Sequence, residues 1–144
     1  FIQPDAGQCP GDFFKIGSQC YKMYTDKPRT WTASKAKCEA EGYVIATKPH
    51  DAITLRKYIV EHIGDYKVYL GAKGDGSVLR WVRTDDHISN TDDLWKPDHP
   101  GSRVTTSDCL LMMSHESHLN DNPTQPFYST RCTTPRYTLC EYLI

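Results

Sequence analysis

The sequence has no excess of charge of either sign and no long run of apolar residues. Its 144 residues carry 17 Lys and Arg against 18 Asp and Glu, which gives a formal net charge of −1. This balance provides no electrostatic attraction to nucleic acid or to an anionic membrane. The apolar stretches are only a few residues long, which is too short for a membrane-spanning helix. We therefore expect neither nucleic acid nor membrane insertion.

The sequence also lacks the short motifs that carry common enzyme chemistry. It contains no Gly-X-Ser-X-Gly elbow, no phosphate-binding loop and no dinucleotide fingerprint. Residues 114–118 (Ser-His-Glu-Ser-His) do not match the zinc-binding helix motif, because their histidines lie three positions apart and that motif requires a wider spacing. A solvated turn is the favoured interpretation of this segment, and we predict that the protein is not an enzyme.

The cysteines are the most informative residues that the sequence does contain. Six are present, at positions 9, 20, 38, 109, 132 and 140. An even number in a short chain indicates a disulfide framework, although the spacing alone leaves many pairings open. Disulfides persist in oxidising compartments, so we expect a secreted, extracellular protein. The chain begins Phe-Ile-Gln with no signal-peptide segment, from which we expect a mature form.

The first half of the chain contains two predicted helices. Thr30 is a favourable N-cap and Gly42 lies just past the end of the first helix. The second begins near Pro49-His50-Asp51 and ends at Gly64. Its apolar residues recur at helical spacing: Ala52, Leu55, Ile59 and Ile63.

Short strands are predicted before and after these helices. The aromatic residues on either side of Gly17-Ser18 indicate a hairpin closed by Cys9–Cys20. Further runs rich in β-formers lie at 68–71, 78–82, 109–113 and 137–144. Residues 84–108 are almost entirely polar, with Leu94 and Trp95 as the expected anchors, and long loops of this kind are usually functional. Helices followed by short strands indicate an α+β domain.

Several segments, taken in order, match a known family. They are 9–14 with Cys20-Tyr21, Trp31-Thr-Ala-Ser-Lys-Ala-Lys-Cys38, Tyr69-Leu-Gly71, Trp81-Val82, Asp108-Cys109, Cys132 and Cys140-Glu141. Together they resemble the long form of the C-type-lectin-like domain, over residues 9–144, with residues 1–8 as an N-terminal tail. The resemblance implies an α+β fold with two helices, short antiparallel sheets and a long irregular loop.

The resemblance also implies how the cysteines pair. The pairs would be Cys9–Cys20, Cys38–Cys140 and Cys109–Cys132, which leaves no cysteine for an interchain bridge. The second of these would close a loop of roughly 100 residues and stabilise the fold by about 4 to 5 kcal/mol in the chain-entropy model.

A calcium and sugar site is implied in the long loop. Sugar-binding members hold calcium through an acid-Pro-Asn or Gln-Pro-Asp triplet, an acid shortly before the third conserved cysteine, and a Trp-Asn-Asp segment before the fourth. The residues at these positions here are His99, Gly101, Ser107, Tyr128 and Ser129. Because calcium favours carboxylates over imidazole and hydroxyl groups, we predict no cofactor and binding that does not depend on calcium.

Two alternatives would restore acidic ligands. Shifting the alignment places Lys96-Pro97-Asp98 on the triplet, which keeps the carboxylate of Asp98 but sets a lysine beside the metal. Asp108 matches a family position involved in an auxiliary calcium site. A different cation site could use Asp92, Asp93, Asp98, Asp108, Asn120 and Asp121. The simpler interpretation is that these residues form polar turns.

The same comparison indicates which side chains would contact a ligand. Trp95 and Phe127 are expected to pack under the loop, whereas Tyr128 and Arg131 are candidates for exposed contacts. We predict a secreted lectin of innate defence that binds glycans or microbial surfaces. The alternative is a calcium-independent module that binds a protein surface. The sequence predicts no oligomeric state.

Overall fold

The computed structural model describes residues 9–64, 66–101, 103–113 and 124–143. The helices in these ranges are α1 (Trp31–Ala40) and α2 (Ala52–His62). The strands are β1 (Phe14–Ile16), β2 (Gln19–Arg29), β3 (Val44–Ile45), β4 (Lys67–Gly74), β5 (Leu79–Trp81), β6 (His87–Ile88), β7 (Asp108–Met113), β8 (Phe127–Arg131) and β9 (Arg136–Tyr142). Neither helix is long and apolar enough to cross a membrane. The predicted tail (1–8), the segment 114–118, Asn120 and Asp121 lie outside the described residues.

β1 and β2 form the predicted amino-terminal hairpin. Phe14 pairs with Tyr21, and the turn contains Gly17 at φ 61°, a conformation that favours glycine. The Cys9–Cys20 disulfide closes the hairpin. β2 continues well beyond the hairpin because it pairs with β9 over most of its length, a long-range contact that the local pattern did not indicate.

Local capping explains the limits of α1. The hydroxyl of Thr30 accepts a hydrogen bond from the backbone N–H of Ala33 at 3.2 Å, and Gly42 follows the helix at φ 86°. On its buried side, the indole N–H of Trp31 donates to the carbonyl of Leu70 at 2.9 Å and fixes the helix against β4. Both predicted ends of this helix are confirmed.

The start of α2 lies slightly later than the sequence indicated. Asp51 is the N-cap, and its carboxylate accepts from the backbone N–H of Thr54 at 3.0 Å. Pro49 therefore precedes the helix instead of opening it, because the carboxylate two positions later satisfies the first free N–H groups. The helix buries the side chains of Ala52, Leu55 and Ile59.

The strands form a mixed sheet. The main order is β1-β2-β9-β4-β5-β6, with β3 on β9, and β7 between β4 and β8. The pairings between the described strands are antiparallel except for β4 with β9, where Val68 lies opposite Tyr137 in a parallel arrangement. Outside these strands, Trp95 forms an isolated parallel bridge with Phe127. The α+β class is confirmed, and the parallel pairing departs from the antiparallel sheets that were expected.

All three disulfides that the resemblance implied are present. Besides the hairpin pair, Cys38–Cys140 joins α1 to β9, and Cys109–Cys132 joins β7 to the residue after β8. The last two therefore tie the carboxyl-terminal strand to the first helix and hold the base of the long loop.

The long loop (residues 84–108) is anchored more firmly than its polar composition suggested. Its buried apolar residues are Ile88, Trp95 and Val104, and Leu94 packs partly against the core. The expectation of two anchors was incomplete, because Ile88 pairs with Leu79 in the short strand β6. A Cβ at Gly74 would overlap the carbonyl oxygen of Thr105, so glycine is required where the loop crosses the end of β4.

Candidate functional site

The loop meets β8 through a short backbone ladder. The N–H of Lys96 donates to the carbonyl of Phe127 at 2.7 Å, and the N–H of Phe127 donates to the carbonyl of Leu94 at 3.0 Å. The rings of Trp95 and Phe127 are 4% and 2% exposed and meet edge to face, with centroids 6.2 Å apart. These two aromatic residues therefore pack under the loop, as expected, and bring residues 96–101 alongside β8.

The side chain of His99 connects the loop to β8. The backbone N–H of Ser129 donates to its Nδ1 at 3.2 Å, and the ring meets that of Tyr128 edge to face at 5.4 Å. The hydroxyl of Ser129 lies 3.4 Å from the same Nδ1 and donates to the carbonyl of Pro100 at 3.2 Å. Three of the five predicted positions, His99, Tyr128 and Ser129, therefore lie together.

This geometry sets the protonation state of His99. A backbone N–H can only donate, so Nδ1 must be unprotonated and the neutral ring carries its proton on Nε2. Burial lowers the pKa of His99 below its ordinary value, and the positive charge of Lys96 lowers it further, while Asp98 acts in the opposite direction. The neutral imidazole thus serves as a hydrogen-bond acceptor between loop and strand.

Gly101 and Ser107 lie at exposed positions in the same loop. Gly101 has φ 95°, in the region that favours glycine. The described hydrogen bonds of the Ser107 backbone go to the Thr105 hydroxyl at 3.2 Å and, through its carbonyl, to the N–H of Cys132 at 2.9 Å. Ser107 therefore contributes its backbone to the base of the loop.

The neighbouring candidates occupy different surroundings. Asp98 is exposed at the tip of the loop with φ 69°. Arg131 is exposed at the end of β8, opposite Asp108 of β7. The carboxylate of Asp108 accepts from the backbone N–H and the hydroxyl of Thr105 at 2.8 and 3.3 Å. Asp108 therefore stabilises the turn that leads into β7.

The side chains at the five predicted positions are poor ligands for calcium. The five predicted positions supply no carboxylate, and the Nδ1 lone pair of His99 already accepts from the protein. Across 9–64, 66–101, 103–113 and 124–143, no group of three or more His, Cys, Asp or Glu side chains is placed to hold a metal ion. Asp92 instead accepts from the N–H of Leu94 at 2.9 Å, as expected of a turn residue.

Sequence reasoning assigned no role to Lys96 or Pro100 in the favoured alignment. Lys96 acts on the charge of His99, and the carbonyl of Pro100 holds the hydroxyl of Ser129. The signal for Lys96 was available, since a lysine three positions from a candidate ligand histidine disfavours a bound cation. The Pro100 contact had no sequence signal, because it depends on the path of the backbone.

No family model matches the sequence, and no curated protein matches it. Solved structures do resemble it. The C-type lectin domain of murine dendritic cell inhibitory receptor 2, in complex with N-glycan, is 17% identical, covers 95% of this chain and 100% of its own, and gives a TM-score of 0.71. A calcium-dependent type II antifreeze protein in its calcium-free form is 19% identical over 94% of this chain and 100% of that one, with a TM-score of 0.68.

A third structure, a calcium-independent type II antifreeze protein, is 18% identical, covers 93% of both chains and gives a TM-score of 0.67. Proteins of this shape therefore include both calcium-dependent and calcium-independent members. At these identities the likeness concerns the fold. The arrangement of two helices, mixed sheet, three disulfides and long loop is accordingly the C-type lectin fold.

Proposed function

We propose that the chain is a secreted recognition domain, spanning residues 9–144, that binds glycans or microbial surfaces in innate defence without calcium. The C-type lectin fold supports recognition, because one similar structure is a complex with N-glycan and another is a calcium-independent antifreeze protein. The three disulfides support secretion, since such bonds persist in oxidising compartments.

The proposal that binding does not require calcium rests on the hydrogen bond that the N–H of Ser129 donates to Nδ1 of His99 at 3.2 Å. By resemblance, these two residues occupy positions that share a calcium ion in sugar-binding members. Here they bond directly to each other, so the loop and β8 are joined by protein groups. The positive charge of Lys96 nearby further disfavours a bound cation.

The binding surface we propose surrounds this bond. Its exposed members are Asp98, Gly101, Ser107 and Arg131. Tyr128 was expected to make an exposed contact, but it packs partly against the core with its hydroxyl buried, so only part of its ring is available. Sugar hydroxyls form hydrogen bonds with carboxylate, hydroxyl and guanidinium groups, and aromatic rings present an apolar surface to the sugar ring. The surface thus offers both kinds of contact without a metal. We propose no catalytic role for it.

The alternative is a protein-binding module that uses the same surface. Tyr and Arg are enriched among the residues that dominate the energy of protein interfaces, and Tyr128 with Arg131 would be the anchors. The two proposed functions use the same surface of the protein and differ only in the ligand that binds there. They are separated by testing glycans and proteins against the same variants.

A glycan array and a panel of microbial polysaccharides, each probed in calcium and in EDTA, test the proposal. We expect the same bound set in both buffers, with binding reduced by Arg131→Gln and unaffected by Arg83→Gln, an exposed arginine in the turn after β5. Glycan binding that disappears in EDTA and returns with calcium would overturn calcium independence. Binding to no saccharide in either buffer would overturn the lectin assignment and favour a protein ligand.

A further inference from the structure

A cleft lies at the end of β4 opposite to the one that the long loop crosses. It has a volume of about 340 Å³ and is lined by Pro28, Lys67, Pro135, Arg136 and Tyr137. Pro28 lies near the end of β2, Lys67 is the first residue of β4, and residues 135–137 lead into β9. The long loop crosses Gly74, the last residue of β4, so the cleft and this crossing lie at opposite ends of the strand.

The charges around this cleft are unbalanced. Lys67 and Arg136 line it, and none of its lining residues carries a carboxylate. Arg136 also lies directly opposite Arg29 in the pairing of β2 with β9, and like charges in that position repel. Asp26 neutralises Arg29 through two hydrogen bonds of 3.1 and 3.0 Å. In the part of the chain that the structure describes, no carboxylate forms such a pair with Arg136.

The hydrogen-bonding capacity of Arg136 is also incompletely used. Its Nη1 donates to the carbonyl of Pro135 at 3.2 Å, whereas its Nε is buried and has no acceptor among the described residues. Because the Nε is enclosed by protein, it is out of reach of an incoming ligand, and Arg136 would contact one through its Nη groups. The guanidinium is close enough to Tyr69 for its charge to act on that hydroxyl, whose pKa burial raises to about 12 against the opposing effect of Arg136.

We propose that this cleft binds the sulfate group of an anionic polysaccharide between Arg136 and Lys67. The planar guanidinium matches two oxygens of such a group, and the lysine ammonium adds a point charge. The two prolines and the ring of Tyr137 supply apolar walls for the sugar that carries the group. This site goes beyond the function proposed above, because it uses neither the long loop nor β8.

The test is calorimetric titration of the protein with heparin, with chemically desulfated heparin and with sodium sulfate alone, at constant ionic strength. We expect heparin to bind and desulfated heparin to bind much more weakly. Lys67→Gln and Arg136→Gln should each weaken heparin binding by about tenfold, because each removes a charge-assisted contact. Arg83→Gln removes the same charge elsewhere on the surface and should leave heparin binding unchanged.

Equal weakening in all three variants would show diffuse attraction to a polyanion and overturn the proposal. Sodium sulfate that binds as tightly as heparin would overturn the assignment to a polysaccharide group. Lys67 is exposed, so Lys67→Gln keeps the test valid if Arg136→Gln fails to fold. If the protein binds heparin but no glycan at the long loop, the proposed function fails and the proposal for this cleft stands. If it binds glycans at the long loop but not heparin, only the proposal for this cleft fails.

Discussion

The carboxyl-terminal strand β9 and the long loop are held to the rest of the protein in different ways. β9 pairs with β2, β3 and β4, and Cys140 joins it covalently to α1. The loop depends on separate contacts, chiefly the burial of Trp95 and Val104 and the hydrogen bond at His99. Contacts around β9 therefore support one another, whereas each contact of the loop can be removed by itself.

Buried polar groups show the same difference. On β9, the carboxylate of Glu141 accepts from the N–H and hydroxyl of Thr47 at 2.9 and 2.6 Å. On the adjacent β2, the amide of Gln19 donates to the carbonyl of Lys48 at 3.0 Å and accepts from the N–H of His50 at 2.8 Å. Two side chains thus fix one segment through four hydrogen bonds. His99 in the loop has a single comparable backbone partner.

Removing the Cys38–Cys140 disulfide should have the largest effect on stability. Its partners are 102 positions apart, and replacing both by alanine should lower the free energy of unfolding by about 4 to 5 kcal/mol. The matched control replaces Cys9 and Cys20, 11 positions apart, with an expected loss of about 3 kcal/mol. Urea denaturation of both variants measures the difference. Equal losses would show that loop closure does not explain how β9 is stabilised.

Substituting Gly74 should weaken the attachment of the loop and leave β9 in place. The added methyl of Gly74→Ala overlaps the carbonyl of Thr105, so we expect a loss of about 1 to 3 kcal/mol, as for other overpacked sites. Hydrogen exchange should accelerate at the described residues of 84–108 and remain slow in β9. Gly11→Ala is the control, because nothing lies within 4 Å of its Cβ. Uniform acceleration would contradict separate attachment.

The sequence predicted best those features that depend on neighbouring residues. Thr30 caps α1 through an N–H group three positions away, and the helical spacing of Leu55 and Ile59 indicated α2, so both helices were identified. The cap of α2 at Asp51 was not predicted. The disulfides followed from the family resemblance. β8 was missed because Phe-Tyr-Ser-Thr-Arg has no clear alternation of apolar and polar residues, and only its pairing with β7 makes it a strand.

The candidate site was predicted as a set of positions and not as a set of contacts. His99 and Ser129 are 30 positions apart, and no local pattern indicates that one accepts from the other. The cleft at Arg136 was missed altogether, since its lining residues come from three strands that are distant in sequence. Residue identity could show that His99 and Ser129 are not carboxylates, but the hydrogen bond between them depends on tertiary structure.

Two variants of His99 should show how much its hydrogen bond contributes. His99→Leu leaves the N–H of Ser129 without its acceptor, and we expect a loss of about 1 to 2 kcal/mol in the free energy of unfolding. His99→Gln can present a carbonyl oxygen to the same N–H and should lose less. Urea denaturation at pH 8 measures both. Equal stability of the two variants would show that packing, and not the hydrogen bond, holds the loop.

Acid should weaken the loop contact through the same residue. The pKa of His99 in the folded protein lies below its ordinary value of 6.5, so the unfolded chain binds the proton first as the pH falls. The free energy of unfolding should therefore decrease as the pH falls below about 6.5. Comparison with His99→Gln isolates this contribution from other groups. Identical pH profiles would contradict it.

Calcium should not change the stability of the protein, which makes this the smallest of the expected effects. A ligand that binds the native state must stabilise it, by about 2.7 kcal/mol at a hundredfold excess over its dissociation constant. Because His99 and Ser129 bond to each other and the favoured positions supply no carboxylate, we expect the same melting temperature in excess calcium and in EDTA. A rise in calcium would contradict this. Its loss in Asp98→Asn would place the ion at the shifted triplet, whereas its loss in Asp108→Asn would place the ion at the base of the loop. Either result would show that a bound ion adds to the protein contacts that attach the loop, which is not the case for β9.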